Sequence, residues 1–256
     1  MTTNIHLRIT DGVAVITIDN PPLNLLSVAV RLRLAEIARD LAVDPECRAV
    51  VISGAGRQAF SAGSDIKEFP DDAAGGNERA KLEHRCLEAL MALPQPVIAA
   101  LHGHVLGGGL ELALACDLRI AEESTNIGLP EVTLGLLPCG GGTQTLPRLV
   151  GPGRALSLLL LGDRITAAQA ERYGLVEHVV PDGRAVPFAE QTATRIARAP
   201  KGATQAIKLA VRRGLVDGLA AGLALEATLA GALFADPAAR EAVTGFRMRR
   251  QQQKEI

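Results

Sequence analysis

Two carboxylates stand where proton chemistry is most easily read into the chain. Glu111 closes the run Leu106-Gly-Gly-Gly-Leu-Glu111 and is flanked by Leu110, Leu112 and Leu114. Glu131 follows Leu129-Pro130, again with apolar neighbours. A carboxylate in apolar surroundings is either paired with a cation or kept for acid–base work. Taken singly, each reads first as a salt bridge or a helix-start charge. The glycines before Glu111 would let backbone N–H groups close on a ligand at a helix start, and Cys139-Gly-Gly-Gly-Thr143 is a second such run. Neither fits G-x-G-x-x-G or G-x-x-x-x-G-K-[ST], so each alone also reads as a tight turn. A third segment, Phe60-Ser-Ala-Gly-Ser-Asp-Ile-Lys-Glu68, combines small residues with Asp65 and Lys67. By themselves these two are an N-cap and a solvated charge.

Alternating strand-like and helix-like stretches must position these residues. Val13–Ile18 is β-branched and follows the turn pair Asp11-Gly12. Val30, Leu34, Ile37 and Leu41 recur at helical spacing, with Ser27 as N-cap and Asp44-Pro45 as stop. Arg31, Glu36, Arg39 and Asp40 fall between them as the polar residues of that helix. Further strands are expected at 48–53, 97–101, 118–121 and 176–180, with helices at 77–93 and 106–116. Pro70–Gly76 reads as a surface loop. Beyond Val186 strand signals vanish, and four helices are expected, at 188–199, 202–214, 217–235 and 237–253. The expected organisation is an α/β core over 1–187 and a helical region over 188–256.

Composition narrows the classes. The 256 residues are 48% hydrophobic and 21% charged, with a net charge of −1, so the chain is globular and has no basic excess for nucleic acid. Aromatic residues make up 2%, too few for a base-stacking platform. Cys47, Cys86, Cys116 and Cys139 contain no C-x-x-C, which argues against a zinc ribbon or a redox dithiol and for a reducing compartment. His102-Gly-His104 has no third ligand at metal spacing. The N-terminus carries no export or organellar signal, and the densest apolar stretch, 96–121, is too polar to span a membrane. A soluble, cytoplasmic protein is expected, without metal.

The order of the segments is more specific than any one of them. FSAGSDIKE, PVIAALHGHVLGGGLELALACD, GLPEVTLGLLPCGGGTQTLPRLVG, LGDR and AERYGLV follow one another in a way that resembles the crotonase superfamily, and within it enoyl-CoA hydratase, over nearly the whole chain. The resemblance implies a spiral of β-β-α turns with a C-terminal helical region that supports trimers or hexamers. It implies an acyl-CoA thioester substrate and no cofactor beyond the CoA that the substrate carries. Backbone N–H groups of Ser64 and Gly108 would stabilise the thioester enolate, and Glu111 and Glu131 would hold and activate water. Two glutamates favour hydration over double-bond isomerisation. Ala62, Asp65, Ile66, Lys67, Phe246 and Arg249 match the family's CoA-binding positions, and Cys139 lies beside the water site. The chain departs from the pattern at Ser64, where Ala is frequent, and at Cys139, where Gly is usual. It departs again at Thr145, where Arg is common, and at His102 and His104.

Overall fold

The computed structural model describes residues 5–252, with side chains as far as Met248. Strand β1 (Ile5–Thr10) turns at Asp11-Gly12 into antiparallel β2 (Val13–Ile18). Helix α1 (Val28–Val43) follows, its first turn capped by the Ser27 hydroxyl, which accepts the Val30 N–H at 3.3 Å. Then come β3 (Ala49–Gly54), β4 (Ala59–Ser61) and α2 (Ala73–Met91). The next turn is β5 (Val97–Leu101), β6 (His104–Leu106) and α3 (Gly108–Ala115). The one after is β7 (Leu118–Glu122), β8 (Asn126–Gly128), a short 3-10 turn at Glu131–Leu134, α4 (Gly142–Val150) and α5 (Pro152–Leu161). The α/β part closes with β9 (Arg164–Thr166), α6 (Ala167–Tyr173) and β10 (His178–Val180). Four helices complete the chain: α7 (Ala185–Ala197), α8 (Lys201–Asp217), α9 (Leu219–Ala235) and α10 (Pro237–Gln252).

The strands sort into two sheets, ordered β1-β2-β3-β5-β7-β10 and β4-β6-β8-β9. The three turns β3-β4-α2, β5-β6-α3 and β7-β8-α4 each contribute one strand to the first sheet and the next to the second before a helix closes them. The expected strand–strand–helix spiral is therefore present. Along the first sheet β2, β3, β5, β7 and β10 pair in parallel. A parallel sheet needs both faces covered, and every residue of β3 and β5 is buried. One face packs against α1, α2 and α3 through residues such as Leu34, Leu90 and Leu112, and the other against Ala185, Ala189 and Ala193 of α7.

The second sheet sets the site. Strands β4, β6 and β8 run parallel side by side, so their carboxyl ends open on the same side. Ser64 follows β4, Gly108 follows β6 and Glu131 follows β8. Residues distant in sequence are thereby gathered at the carboxyl ends of neighbouring parallel strands, where α/β folds place their ligands.

Two local expectations change. The segment expected to be a loop as far as Gly76 is already helical from Ala73, because Asp72 Oδ1 accepts the Gly75 N–H at 2.7 Å and caps α2 early. Helix α7 starts before residue 188 and belongs with the sheet it covers. Helix α8 is held to the α/β part by charge: Lys208 Nζ and Arg212 Nη2 each lie 2.7 Å from the Asp117 carboxylate. Neither α8 nor α9 has a buried residue. Among the described residues no single helix is long and apolar enough to cross a membrane; α9 and the start of α10 meet that length and composition only as a pair bent by 75°.

Candidate functional site

A cavity of about 610 Å³ opens at the ends of β4, β6 and β8. Of the residues singled out in the sequence, Glu111, Glu131, Ser64 and Gly108 line it, as do Ala62, Ile66 and Cys139. Leu134, Leu136, Leu137 and Phe69 supply an apolar wall. Asp65 and Lys67 do not line it: the Asp65 carboxylate accepts the Lys67 N–H at 3.0 Å and caps the short turn Ile66–Glu68, and the Lys67 side chain is exposed. Phe246 is exposed on α10 and takes no part in the wall of its own chain's cavity. Arg249 lies beyond the residues whose side chains are described.

The glycines bring the backbone together. Gly107 holds φ +53, and a Cβ built on it would sit 3.0 Å from Glu131 Oε1. Its lack of a side chain both permits the turn from β6 into α3 and admits the Glu131 carboxylate. A Cβ on Gly108 would lie 3.5 Å from the Ser64 nitrogen, and one on Gly63 would lie 3.3 Å from the Gly108 nitrogen. The two amides are thus neighbours, and neither donates to an acceptor among the described residues. Gly108 opens α3, so its N–H also stands at the positive end of that helix.

Glu111 is 2% exposed, and burial pushes its carboxyl up to about 8. The Gly142 N–H opposes this by donating to Oε1 at 2.8 Å, while the charges of Glu83 and Glu131 push the same way as burial. Burial also raises Glu131, as does Glu83, and Glu131 Oε2 is buried with no hydrogen-bond partner. A lone pair buried without a partner is unfavourable unless something fills the role. The site thus holds two carboxyls raised above their ordinary value, Glu111 to about 8, opposite a pair of free amides. The arrangement can polarise a carbonyl oxygen and move protons beside it.

Two charged residues complete the site without having been picked out in the sequence. Glu83 of α2 is 1% exposed and lines the cavity, and Arg31 of α1 is 2% exposed. Arg31 Nη2 lies 3.3 Å from Glu83 Oε1, and Arg79 Nη2 lies 3.2 Å from the same oxygen. Cys139 donates its thiol to Glu83 Oε2 at 3.4 Å. Burial, with the charges of Glu83 and Glu111, pushes that thiol up to about 12. Burial pushes His102 down, which keeps the ring neutral. Among the described residues no group of three His, Cys, Asp or Glu side chains is arranged to hold a metal ion.

With this geometry in place, comparison with known proteins is decisive. The family described as enoyl-CoA hydratase/isomerase matches residues 8–255. The chain belongs to that family. It is a member of the crotonase superfamily and an enzyme of the hydratase or isomerase kind. It is 37% identical over 245 residues to the crotonyl-CoA hydratase of Syntrophomonas wolfei, an alignment covering 95% of this chain and 94% of that one. It is 36% identical over 245 residues to the short-chain-enoyl-CoA hydratase of Clostridium acetobutylicum, with the same coverage of 95% and 94%. The crystal structure of an enoyl-CoA hydratase from Bacillus anthracis superposes with a TM-score of 0.92 at 37% identity, over 96% of each chain. The enoyl-CoA hydratase/isomerase fold expected from the sequence is the one observed.

Proposed function

We propose that this enzyme is an enoyl-CoA hydratase that adds water reversibly, in the syn sense, to a trans-2-enoyl-CoA to give a 3-hydroxyacyl-CoA. The observation that carries the reading is the pair Glu111 and Glu131, both in the cavity and both raised, facing the unpaired amides of Ser64 and Gly108. The amides receive the thioester oxygen and become most favourable as it gains charge, which draws electron density away from C3. Water held between the carboxylates gives a proton to one of them as its oxygen attacks C3. The other delivers a proton to C2. Glu111 is assigned mainly as base and Glu131 mainly as donor; as a coupled pair they share their protons. Addition of water to a polarised double bond transfers no electrons between molecules, so the proposed chemistry calls on no redox cofactor, and the polarisation is assigned to the two amides.

The thioester is placed with its acyl chain along the leucines and its CoA at the loop of Ala62, Asp65, Ile66 and Lys67. Lys67 is exposed and available to a phosphate. Phe246 and Arg249 are assigned to the CoA site of a neighbouring subunit, which fits the exposure of Phe246. Helix α9 has a strongly apolar sequence but buries no residue in its own chain, and Leu219 and Phe234 are 78% and 80% exposed. Such a face calls for cover, and the reading assigns it to other copies of the chain, as a trimer or a pair of trimers. Of the helical region expected from 188 onward, the helices beyond α7 are assigned this role, since α7 is engaged with its own sheet. The enzyme is read as cytoplasmic, with acyl-CoA degradation as its setting and neither membrane nor nucleic acid as partner.

Incubation with crotonyl-CoA tests the reaction. Loss of the conjugated enoyl-thioester ultraviolet band, with formation of 3-hydroxybutyryl-CoA, is the expected result. Migration of the double bond of a 3-enoyl-CoA without net hydration would instead make the enzyme an isomerase, and acyl-CoA binding with neither reaction would make it a binding protein.

A further inference from the structure

The hydration reading leaves one cluster unused. Arg31 is among the largest fully buried side chains, although it belongs to a helix already well packed through Leu34 and Ile37. Its Nη2 donates to Ser64 Oγ at 2.8 Å, and the Ser64 hydroxyl donates to Glu83 Oε1 at 3.2 Å. With Arg31 and Glu83 3.3 Å apart, the three groups close a triangle between α1, α2 and the loop after β4. A buried ion pair is usually no more stabilising than apolar side chains of the same volume. Packing of α1 on α2 therefore gives little reason for it. Its position gives a better one. A Cβ on Gly108 would lie 2.6 Å from Arg31 Nη2 and 3.1 Å from Ser64 Oγ. The guanidinium thus stands close against the backbone that carries the two unpaired amides.

A backbone donor serves a developing oxyanion to the extent that it is held in place beforehand. The Ser64 N–H lies in a loop and shares one planar peptide unit with the Gly63 carbonyl, which accepts the Leu26 N–H at 2.8 Å; that backbone bond holds one edge of the unit, and the Ser64 side chain is what holds its Cα. We propose that the Arg31–Glu83 pair is a positioning device for the first thioester-oxygen donor: by clasping the Ser64 hydroxyl it holds the Ser64 amide beside that of Gly108 and sets a positive charge near the oxygen that becomes negative. Glu83 keeps the arginine in register, and its second oxygen, bonded by Cys139, ties the same carboxylate to the loop that leads into α4 at Gly142. The proposal rests on the reading of these amides as the thioester-oxygen site.

Acetoacetyl-CoA is the probe, because its bound enolate has its own ultraviolet band and forms without any water addition. Ser64→Ala keeps the N–H and removes the clasped hydroxyl. Arg31→Met/Glu83→Met removes the pair while filling its volume, so the fold is expected to survive with a near-native thermal midpoint. Both are expected to lower the enolate fraction of the bound probe, and to lower kcat for crotonyl-CoA by about 10-fold or more while KM moves by less than about 3-fold. Ser64→Thr, which restores a hydroxyl, is expected to recover much of the band. A purely structural role would shift the thermal midpoint and leave the enolate fraction of folded protein unchanged. Folded Ser64→Ala with the wild-type enolate fraction overturns the proposal, whether or not the double variant folds. Wild-type protein that binds the probe without any enolate band overturns the thioester-oxygen reading itself, and the clasp with it.

Discussion

The Glu111 carboxylate of α3 accepts the backbone N–H of Gly142, the first residue of α4, at 2.8 Å. One oxygen of a buried acid is thereby fixed by a helix N-terminus, and the carboxyl is oriented without a counter-ion. The bond favours the charged form but does not outweigh burial, since the carboxyl still rises to about 8.

That balance has a consequence for stability. In the unfolded chain Glu111 titrates near the ordinary 4.5, and in the folded chain near 8. Between those values the folded state binds more protons, so its stability falls as pH rises through this window and levels off above it. Glu111→Gln has no such slope and keeps an acceptor for the Gly142 N–H. The variant is expected to gain on the wild type across pH 4.5 to 8, by on the order of a few kcal/mol at the upper end. Denaturant unfolding at several pH values checks this; parallel curves for the two proteins would show that the carboxyl is not raised.

In the proposed hydration Glu111 and Glu131 both act on the attacking water. Glu111→Gln and Glu131→Gln are each expected to lower turnover of crotonyl-CoA by about 10²–10⁴-fold with the fold intact. Because they share one water in the proposed reaction, the double variant is expected to be little worse than either single one. Steady-state kinetics with circular dichroism as the folding control decide it. Full hydration by either single variant would remove that residue from the chemistry.

What the sequence made legible follows from local signals. Glu111 and Glu131 each stand beside a Gly-rich or Pro turn among apolar neighbours, and both reach the cavity. The core helices were legible from periodicity and the ends of α1 from Ser27 and Asp44. Arg31 and Glu83 were not, because a charge within an amphipathic helix is ordinarily solvated. The spacing did carry a signal. Arg31 precedes Leu34 and Ala38 at helical intervals, and Glu83 precedes Cys86, Leu87 and Leu90, so both sit on their helices' apolar stripes. Two opposite charges so placed on consecutive helices satisfy one another only if those helices pack, which is a tertiary fact. The short strands β4, β6 and β8 were equally hard to see, being three residues each and stabilised by their neighbours in the sheet.

Cys139 gives a chemical test of its surroundings. A thiol that rises to about 12 is almost entirely protonated at neutral pH and a poor nucleophile, even where reagent can reach it. Iodoacetamide at pH 7.5 is expected to modify Cys139 much more slowly in native protein than in urea-unfolded protein. In Glu83→Gln, which removes the facing charge while keeping one amide oxygen as an acceptor, native alkylation is expected to quicken. Peptide mass spectrometry follows both, and rapid native labelling would show that the thiol is not held by Glu83.

Assembly is testable through α9. Phe234→Asp places a charge on a face proposed to be covered by other copies, and is expected to shift the protein toward monomer in sedimentation velocity at micromolar concentration. A wild-type chain that sediments as a monomer would leave the apolar face without its assigned cover.

Gly108 offers the sharpest contrast, because its role would lie in its backbone alone. Proline removes the N–H, and loss of one such donor typically costs about 10²–10³ in kcat. Gly108→Pro is therefore expected to abolish measurable hydration. Alanine keeps the donor but brings a Cβ to 2.6 Å from Arg31 Nη2, so the guanidinium must retreat from its place against that backbone. Gly108→Ala is expected to retain partial activity, below that of the wild type and above that of the proline variant. The Gly108→Ala background also probes Arg31. If the loss comes from displacing the guanidinium, Arg31→Met, which withdraws the crowded atoms, should add little further loss when combined with it. If the two losses multiply instead, the alanine acts on the substrate directly, through crowding of the thioester rather than through Arg31.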